Sequence, residues 1–166
     1  MIPMLRRILR TGIVSEPPPE TAAEREMARL GNEILRILGR ALTIRQVDAG
    51  SCNGCELELH ALNNPYPNIA GYGIKFVASP RHADLLLVTG PVTKNMEHAL
   101  KVAYDCTPDP KLVVAVGDCG CTGGVFGESY ASCGAVENVL PVDVRVPGCP
   151  PTPAALLQGI LAAVRR

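Results

Sequence analysis

Two short apolar runs constrain the fold of this chain more than any other feature of its sequence. They occupy residues 85–89 (LLLVT) and 112–116 (LVVAV). A strand covered on both faces is continuously apolar, whereas a strand with one face in water alternates apolar and polar residues. The two runs therefore predict buried strands of a parallel sheet, which needs helices on both of its faces.

The rest of the chain supplies strands and helices in alternation. Further strands are predicted over residues 42–47, 74–78 and 142–146, and helices over residues 22–40, 93–104 and 154–166, the last entered through Pro153. Alternating strands and helices indicate an α/β fold with a mostly parallel sheet. In such a sheet, ligands bind outside the carboxyl ends of the strands.

The sequence divides into three parts, and its 166 residues suit one domain with a packed core. Residues 1–20 form a basic extension, residues 21–41 an amphipathic helix with Thr21 as its expected cap, and residues 42–166 the α/β domain. The extension does not resemble a secretory signal. It is predicted to be either a short amphipathic helix on a membrane or a neighbouring subunit, or a partly ordered tail.

Composition and charge narrow the possible partners. The net charge is zero, so no broad basic field exists to attract nucleic acid. No run of 18 apolar residues occurs, so the chain is not expected to span a membrane by itself. Charged residues make up only 19% of the sequence. That share fits either a surface partly buried against a partner or an ordinary small domain rich in Ala, Val and Leu.

Seven cysteines indicate metal binding rather than a disulfide framework, because the number is odd and no export signal is evident. Cys52 and Cys55 follow the first predicted strand, Cys119 follows the strand at 112–116, and Cys149 follows the last strand. Loops at the carboxyl ends of parallel strands converge in space although they are distant in sequence. We therefore expect these four thiols to meet at one edge of the sheet.

The residues around these cysteines favour an iron–sulfur cluster. Glycines flank every candidate: Gly50, Gly54, Gly117, Gly120, Gly123, Gly124 and Gly148. Glycine lets backbone amides approach closely, and amide hydrogen bonds to cluster sulfurs tune the redox potential. Two alternatives remain open at this point. A thioredoxin-like pair would use Cys52 and Cys55 alone, and structural zinc usually takes two closely spaced cysteine pairs, of which this sequence has one.

The remaining cysteines receive other predictions. Cys106 is expected to be an ordinary buried or half-buried thiol at the end of a helix, and Cys133 is expected to be structural. Cys121 lies two residues beyond Cys119 and competes with it for the same ligand position. Cys119 is preferred because it leaves the strand directly.

Charged residues near the cysteine motifs suggest secondary roles. Arg81 or His82 is predicted to place positive charge near the cluster or a partner site, the alternative being a plain loop role. Glu56 and Glu58 follow the first cysteine pair, where they either cap a helix N-terminus or relay protons.

Four motifs give the chain a family resemblance. They are residues 51–58 (SCNGCELE), 79–90 (SPRHADLLLVTG), 117–126 (GDCGCTGGVF) and 141–153 (PVDVRVPGCPPTP). Together they closely resemble the 20 kDa subunit family of respiratory complex I, which includes the small subunits of membrane-bound group 4 [NiFe] hydrogenases such as formate hydrogenlyase. The resemblance covers about residues 42–166. Cys121 departs from the family's third motif, where small or polar residues are usual.

The resemblance implies a flavodoxin-like fold and one [4Fe–4S] cluster bound by Cys52, Cys55, Cys119 and Cys149. Complex I subunits carry two adjacent cysteines in the first motif, whereas this chain has C-N-G-C, which is the hydrogenase pattern. The implied function is therefore that of an electron-transfer small subunit of a [NiFe] hydrogenase, whose active site lies in the partner. The alternative is the cluster-bearing subunit of a complex I-like quinone oxidoreductase, and a zinc-stabilised interaction module is a third hypothesis.

The resemblance also implies partners and a location. The expected partners are a hydrogenase large subunit similar to the complex I 49 kDa subunit, a ferredoxin-like iron–sulfur subunit and membrane arm subunits. The cluster would carry electrons between the ferredoxin-like subunit and the Ni–Fe site. The expected location is peripheral, at the cytoplasmic face of the cell membrane.

Overall fold

The structure is a computed structural model that describes residues 2–12, 22–65 and 68–166. The helices are α1 (Ile2–Thr11), α2 (Ala22–Leu38), α3 (Gly54–Ala61), α4 (Lys94–Cys106), α5 (Gly117–Thr122) and α6 (Pro153–Val164). The strands are β1 (Leu42–Asp48), β2 (Ile74–Phe76), β3 (Leu85–Thr89), β4 (Leu112–Val116) and β5 (Val144–Val146). Thr21, the expected cap of α2, lies outside the described residues.

The strands of the described residues form one sheet in the order β2-β1-β3-β4-β5, and every pairing between neighbours is parallel. This is the strand order of flavodoxin-like proteins. The predicted α/β fold with a parallel sheet is confirmed. In this order β2 is added on one side of β1, and β3, β4 and β5 are added on its other side. The order of the strands therefore reverses between β1 and β3.

Both faces of the sheet are covered, as the apolar runs predicted. Leu85 and Leu87 of β3 point into a core shared with α2, α3 and α6, while Leu86 and Val88 point into a second core shared with α4. All four side chains have no solvent exposure. Because successive side chains of a strand alternate between faces, a strand buried on both sides must be apolar at every position.

Several element boundaries differ from the prediction for local reasons. β5 begins at Val144 rather than at residue 142, because the Asp143 carboxylate accepts the N–H of Val113 at 2.8 Å, a donor that a strand carbonyl would otherwise take. β2 ends at Phe76, because the chain then turns toward a short 3₁₀ segment, Pro80–His82. The described part of the chain contains no helix both long and apolar enough to cross a bilayer.

Candidate metal centre

The register of the sheet places the predicted ligand cysteines at one edge. The last residues of four strands lie side by side across the sheet: Asp48, Thr89, Val116 and Val146. Cys119 and Cys149 each follow this line by three residues, and Cys52 follows it by four. The loops after β1, β4 and β5 therefore start level with one another at the carboxyl edge.

The four thiols are close enough to influence one another electrostatically. The pKa of Cys55 is raised to about 12, first by burial, then by the charge of Glu56 and by the thiolates of Cys52, Cys119 and Cys149. The pKa of Cys119 is also raised, by burial and then by Cys149 and Cys52. The raised pKa values of Cys55 and Cys119 suit a cationic centre, because bound metal stabilises thiolates. The donor set therefore fits a cluster with cysteine ligands.

The loop that carries the first two cysteines is organised by Asp48 and Ser51. The Asp48 Oδ1 atom accepts the backbone N–H groups of Gly50 and Ser51, both at 2.8 Å. The Ser51 hydroxyl accepts the N–H of Asn53 at 3.1 Å, and Asn53 has a φ of 71° where α3 begins. These bonds bend the chain sharply between β1 and α3, so that Cys52 lies on the bend and Cys55 in the first turn of the helix.

Glu56 is buried beside Cys55, with 5% of its surface exposed. Its Oε2 atom accepts the Ser51 hydroxyl at 2.6 Å. Its Oε1 atom is also buried and has no hydrogen-bond partner within the described residues. Glu56 lies in the first turn of α3, where a helix cap was expected, and its side chain also joins the helix to the preceding loop. A proton relay at this position stays a prediction. Glu58 is half-buried.

Two glycines let the loops approach the sulfur atoms. A Cβ atom on Gly117, whose φ is 81°, would lie 2.7 Å from the Cys55 sulfur. A Cβ atom on Gly124, whose φ is 55°, would lie 2.8 Å from the Cys119 sulfur. Both distances are shorter than real contacts, and both φ values favour glycine. The two glycines thus form a cradle around the thiols that a side chain would fill.

Asp118 joins two of the cysteine loops, a role that sequence analysis missed. Its backbone N–H donates to the Gly148 carbonyl at 2.9 Å, and its Oδ1 atom accepts the Gly148 N–H at 2.8 Å. The pair of bonds connects the residue before Cys119 to the residue before Cys149. An acidic residue inside a glycine-rich cysteine motif was the available signal, but its partner could not be read from the sequence.

The structure separates Cys121 from the other four cysteines. Its thiol is buried and lies 3.7 Å from the Ala115 carbonyl oxygen, on the core side of α5. Burial raises its pKa, and the charges that act on it most belong to Asp118, Arg145 and Glu137. Cys119 alone of this pair faces Cys149 and Cys52.

The other two cysteines lie elsewhere. Cys106 is half-buried at the end of α4, as expected. Cys133 is buried, and its thiol donates to the Glu97 carboxylate at 3.3 Å. The cysteines whose charges mainly raise the pKa values of Cys55 and Cys119 are the other predicted ligands, and neither Cys106 nor Cys133 is among them.

The expectation that Arg81 or His82 places charge near the cluster is wrong. The His82 carbonyl accepts the hydroxyl of Thr43 at 2.6 Å, and Thr43 is the second residue of β1. The 3₁₀ turn therefore lies near the amino edge of the sheet, opposite the cysteines. Because β2 and β3 are parallel, the segment between them must carry the chain back to the amino edge.

No three His, Cys, Asp or Glu side chains of the described ranges stand close enough to hold a single metal ion. The ligands of a four-iron cluster bind four different irons, so they need not meet at one point.

Comparison with known proteins gives consistent matches. The family model described as "NADH ubiquinone oxidoreductase, 20 Kd subunit" matches residues 52–163. The chain is 45% identical to the "probable membrane-bound hydrogenase subunit mbhJ" of Pyrococcus furiosus, covering 81% of this chain and 80% of that protein. It is 43% identical to formate hydrogenlyase subunit 7 of Escherichia coli, covering 89% of this chain and 58% of that protein.

A solved structure is also similar. It is a chain of the membrane-bound sulfane sulfur reductase, described as an archaeal respiratory membrane complex. The TM-score is 0.67 and the sequence identity 32%, and the match covers 80% of this chain and 75% of that chain. The similarity extends over most of both chains.

Proposed function

The chain belongs to the family of the 20 kDa subunit of NADH ubiquinone oxidoreductase, and from that premise we propose that it is the electron-transfer small subunit of a membrane-associated [NiFe] hydrogenase. In this role it holds one [4Fe–4S] cluster through Cys52, Cys55, Cys119 and Cys149. The observation that carries the proposal is the convergence of these thiols, from loops after three strands, at one sheet edge. A bound cluster of this kind supplies one-electron transfer.

The chain's own residues hold the cysteine loops in place. Asp48 and Ser51 fix the bend before α3, and Asp118 fixes the distance between the loops of Cys119 and Cys149. Gly117 and Gly124 leave room at the sulfurs. Such a preformed site needs little rearrangement when the cluster changes its charge, which suits electron transfer.

The surface around the cysteines supports a partner that covers it. Cys52 and Cys149 are exposed. Large apolar side chains in α3 and in the segment after α5 are exposed as well: Leu57 by 62%, Val125 by 96%, Phe126 by 59% and Tyr130 by 98%. A concentration of exposed apolar groups beside a site usually indicates a surface that a partner covers. We assign this surface to the hydrogenase large subunit, which would contain the Ni–Fe site.

The wider assembly follows from the same proposal. A ferredoxin-like iron–sulfur subunit would exchange electrons with this cluster, and membrane arm subunits would anchor the complex at the cytoplasmic face of the cell membrane. The relatives named above are subunits of a membrane-bound hydrogenase and of formate hydrogenlyase, which supports this arrangement.

A second candidate is the cluster-bearing subunit of a complex I-like quinone oxidoreductase. The description of the matching family favours it. The first cysteine motif favours the hydrogenase, because Asn53 and Gly54 separate Cys52 from Cys55, whereas the complex I pattern has adjacent cysteines.

Metal analysis of the complex that co-purifies anaerobically with this chain tests the proposal. Iron together with stoichiometric nickel is the expected result. Iron without nickel would overturn the hydrogenase assignment and favour quinone reduction. Zinc in place of iron would overturn the cluster itself.

A further inference from the structure

Helix α1 is short and is terminated by a capping glycine. It covers Ile2–Thr11 and ends at Gly12, which has a φ of 64° and donates its N–H to the Ile8 carbonyl at 3.0 Å. The Thr11 hydroxyl donates to the Arg7 carbonyl at 2.6 Å. A left-handed glycine after the last turn is a common helix terminator. The helix is therefore a separate element, with α2 beginning at Ala22.

The two sides of α1 differ sharply in chemistry. With 3.6 residues in each turn, one side carries its large apolar side chains: Met4, Leu5, Ile8 and Leu9. The other side carries the cations Arg6, Arg7 and Arg10. Arg6 and Arg7 border the apolar side from its two edges, and Arg10 lies opposite it. Between Met1 and Ser15 the sequence contains no acidic residue.

Nothing within the described residues covers the apolar side of α1. Met4 is 70% exposed, Leu5 53%, Ile8 59% and Leu9 81%. In α2, by contrast, Ile34 is 1% exposed because that helix packs on the sheet. A helix of ten residues is marginal in water without packing. The apolar side of α1 therefore needs a surface that does not belong to the described chain.

We propose that α1 lies in the interface of a bilayer that contains anionic phospholipid. Its apolar side would enter the boundary between headgroups and acyl chains, and Arg6 and Arg7, which border that side, would contact the lipid phosphates. The charge of the helix favours this occupant over a protein groove, since three arginines with no acid among them match a continuous field of phosphates. A groove would need an acidic group at each of its two rims, opposite Arg6 and Arg7. The inference is independent of the cluster and of the proposed electron transfer.

Flotation of the purified full-length chain with lipid vesicles tests the proposal. One set of vesicles contains phosphatidylcholine alone and the other adds phosphatidylglycerol, both at physiological salt. The charge variant is Arg6→Gln with Arg7→Gln and Arg10→Gln. The matched control is Arg29→Gln with Arg36→Gln and Lys75→Gln, which removes the same charge from exposed positions elsewhere. Glutamine keeps helix propensity close to that of arginine.

The wild-type chain should bind anionic vesicles and bind neutral ones much less. The charge variant should lower partitioning into anionic vesicles at least about 25-fold, since Arg6 and Arg7, at the edges of the apolar side, each contribute about a factor of five. The control should change it by less than about threefold, because charges farther than about 8 Å from the lipid are screened at this salt. An apolar variant, Leu5→Gln with Ile8→Gln, should also lower binding at least about tenfold.

Three results would overturn the proposal. The first is equal binding of the wild-type chain to anionic and neutral vesicles. The second is binding of either α1 variant at the level of the control. The third is a charge variant that keeps vesicle binding but no longer co-purifies with its partner subunits, which would assign α1 to an acidic protein surface. Iron content should stay the same in every variant, so a failure here is distinct from a failure of the cluster assignment.

Discussion

Cys119 and Cys121 show how two residues of one type, two positions apart, come to have different environments. Residues at i and i+2 of a helix do not share a face. In α5 this directs Cys119 toward Cys149 and Cys52 and directs Cys121 toward the Ala115 carbonyl in the core. The motif left both thiols as candidates for one ligand position, and the geometry of the short helix distinguishes them.

Serine substitutions at these two positions should differ in their effect on the iron content of the chain. Cys119→Ser should remove most of the iron and the cluster's paramagnetic signal, because a hydroxyl is a poor substitute for a thiolate ligand. Cys121→Ser should keep both, because the Ala115 carbonyl offers the new hydroxyl a partner. The measurement is iron per chain with electron paramagnetic resonance of the reduced protein. Retention of iron in Cys119→Ser, with its loss in a folded Cys121→Ser, would reverse the ligand assignment.

Gly124 offers a test of how closely the backbone must approach a ligand sulfur. Gly124→Ala places a Cβ atom 2.8 Å from the Cys119 sulfur at a φ of 55°. We expect a loss of about 1–3 kcal/mol in stability and lower iron occupancy, since the sulfur must move. The measurements are thermal unfolding and iron per chain.

Gly127→Ala is the matched control for this substitution. Gly127 has a similar φ of 52°, but its Cβ atom would have no heavy atom within 4 Å. It should therefore share the backbone strain without displacing a ligand, and its iron content should equal that of the wild-type chain. Equal loss of iron in both variants would attribute the effect to strain in the loop rather than to contact with the sulfur.

At the scale of elements, the strands could be predicted from the pattern of apolar residues. Hydrogen bonds between side chains and distant parts of the chain could not. β3 and β4 were predicted at their observed bounds because burial on both faces requires an unbroken apolar run. α5 was not predicted, since six residues with two glycines show no helical period. The convergence of the cysteine loops was expected from strand direction alone. The bonds of Asp118 to Gly148 and of Glu56 to Ser51 join side chains whose positions only the folded chain defines.

Asp84 is a further interaction of this kind, and it connects two strands at the amino edge. It precedes β3, and its Oδ2 atom accepts the backbone N–H of Thr43 at 3.1 Å. The same oxygen lies 2.8 Å from the Thr43 hydroxyl, whose single hydrogen it shares with the His82 carbonyl. Arg40 donates to both carboxylate oxygens, at 2.7 and 3.0 Å. Burial acts to raise the pKa of Asp84, but the hydrogen bonds from Arg40 and Thr43 outweigh it and bring the pKa below its usual value.

Asp84→Ala should therefore destabilise the chain in a pH-dependent way. At pH 7 we expect a loss of about 1–2 kcal/mol, mostly from the backbone N–H of Thr43 that loses its acceptor, since the exposed Arg40 contributes little. A carboxyl with a lowered native pKa stabilises the fold above its unfolded pKa of about 3.9, and that contribution is lost as the pH falls through the native value.

The difference in the free energy of unfolding between the wild-type chain and Asp84→Ala should narrow below about pH 4. Urea unfolding of the metal-free chains at several pH values measures this difference. The control Asp105→Ala removes an exposed carboxylate of α4. Its free energy of unfolding should equal that of the wild-type chain at each pH. A constant difference for Asp84→Ala at all pH values would show that its carboxylate charge does not contribute.

At the scale of the whole molecule, the cores and the cysteine edge serve separate purposes. The two cores lie on opposite faces of the sheet, and of the predicted ligands only Cys55 packs against either of them. The sheet can therefore form from apolar burial alone, while the edge keeps thiols and large apolar groups exposed. An edge of this composition is complete only when a partner covers it.

Removing the aromatic side chains of this edge should weaken assembly while leaving the cluster intact. Phe126 and Tyr130 are 59% and 98% exposed, and aromatic residues are prominent among the few interface residues whose truncation costs about 2 kcal/mol or more. Phe126→Ser with Tyr130→Ser should therefore lower anaerobic recovery of the partner subunits at least about tenfold, with iron per chain unchanged. Leu35→Ser with Val102→Ser removes two apolar groups that are 40% and 46% exposed on α2 and α4 and should leave recovery unchanged. Equal recovery with both double variants would place the partner on another surface, and loss of iron in the aromatic variant would mean that these side chains support the cysteine loops rather than the interface.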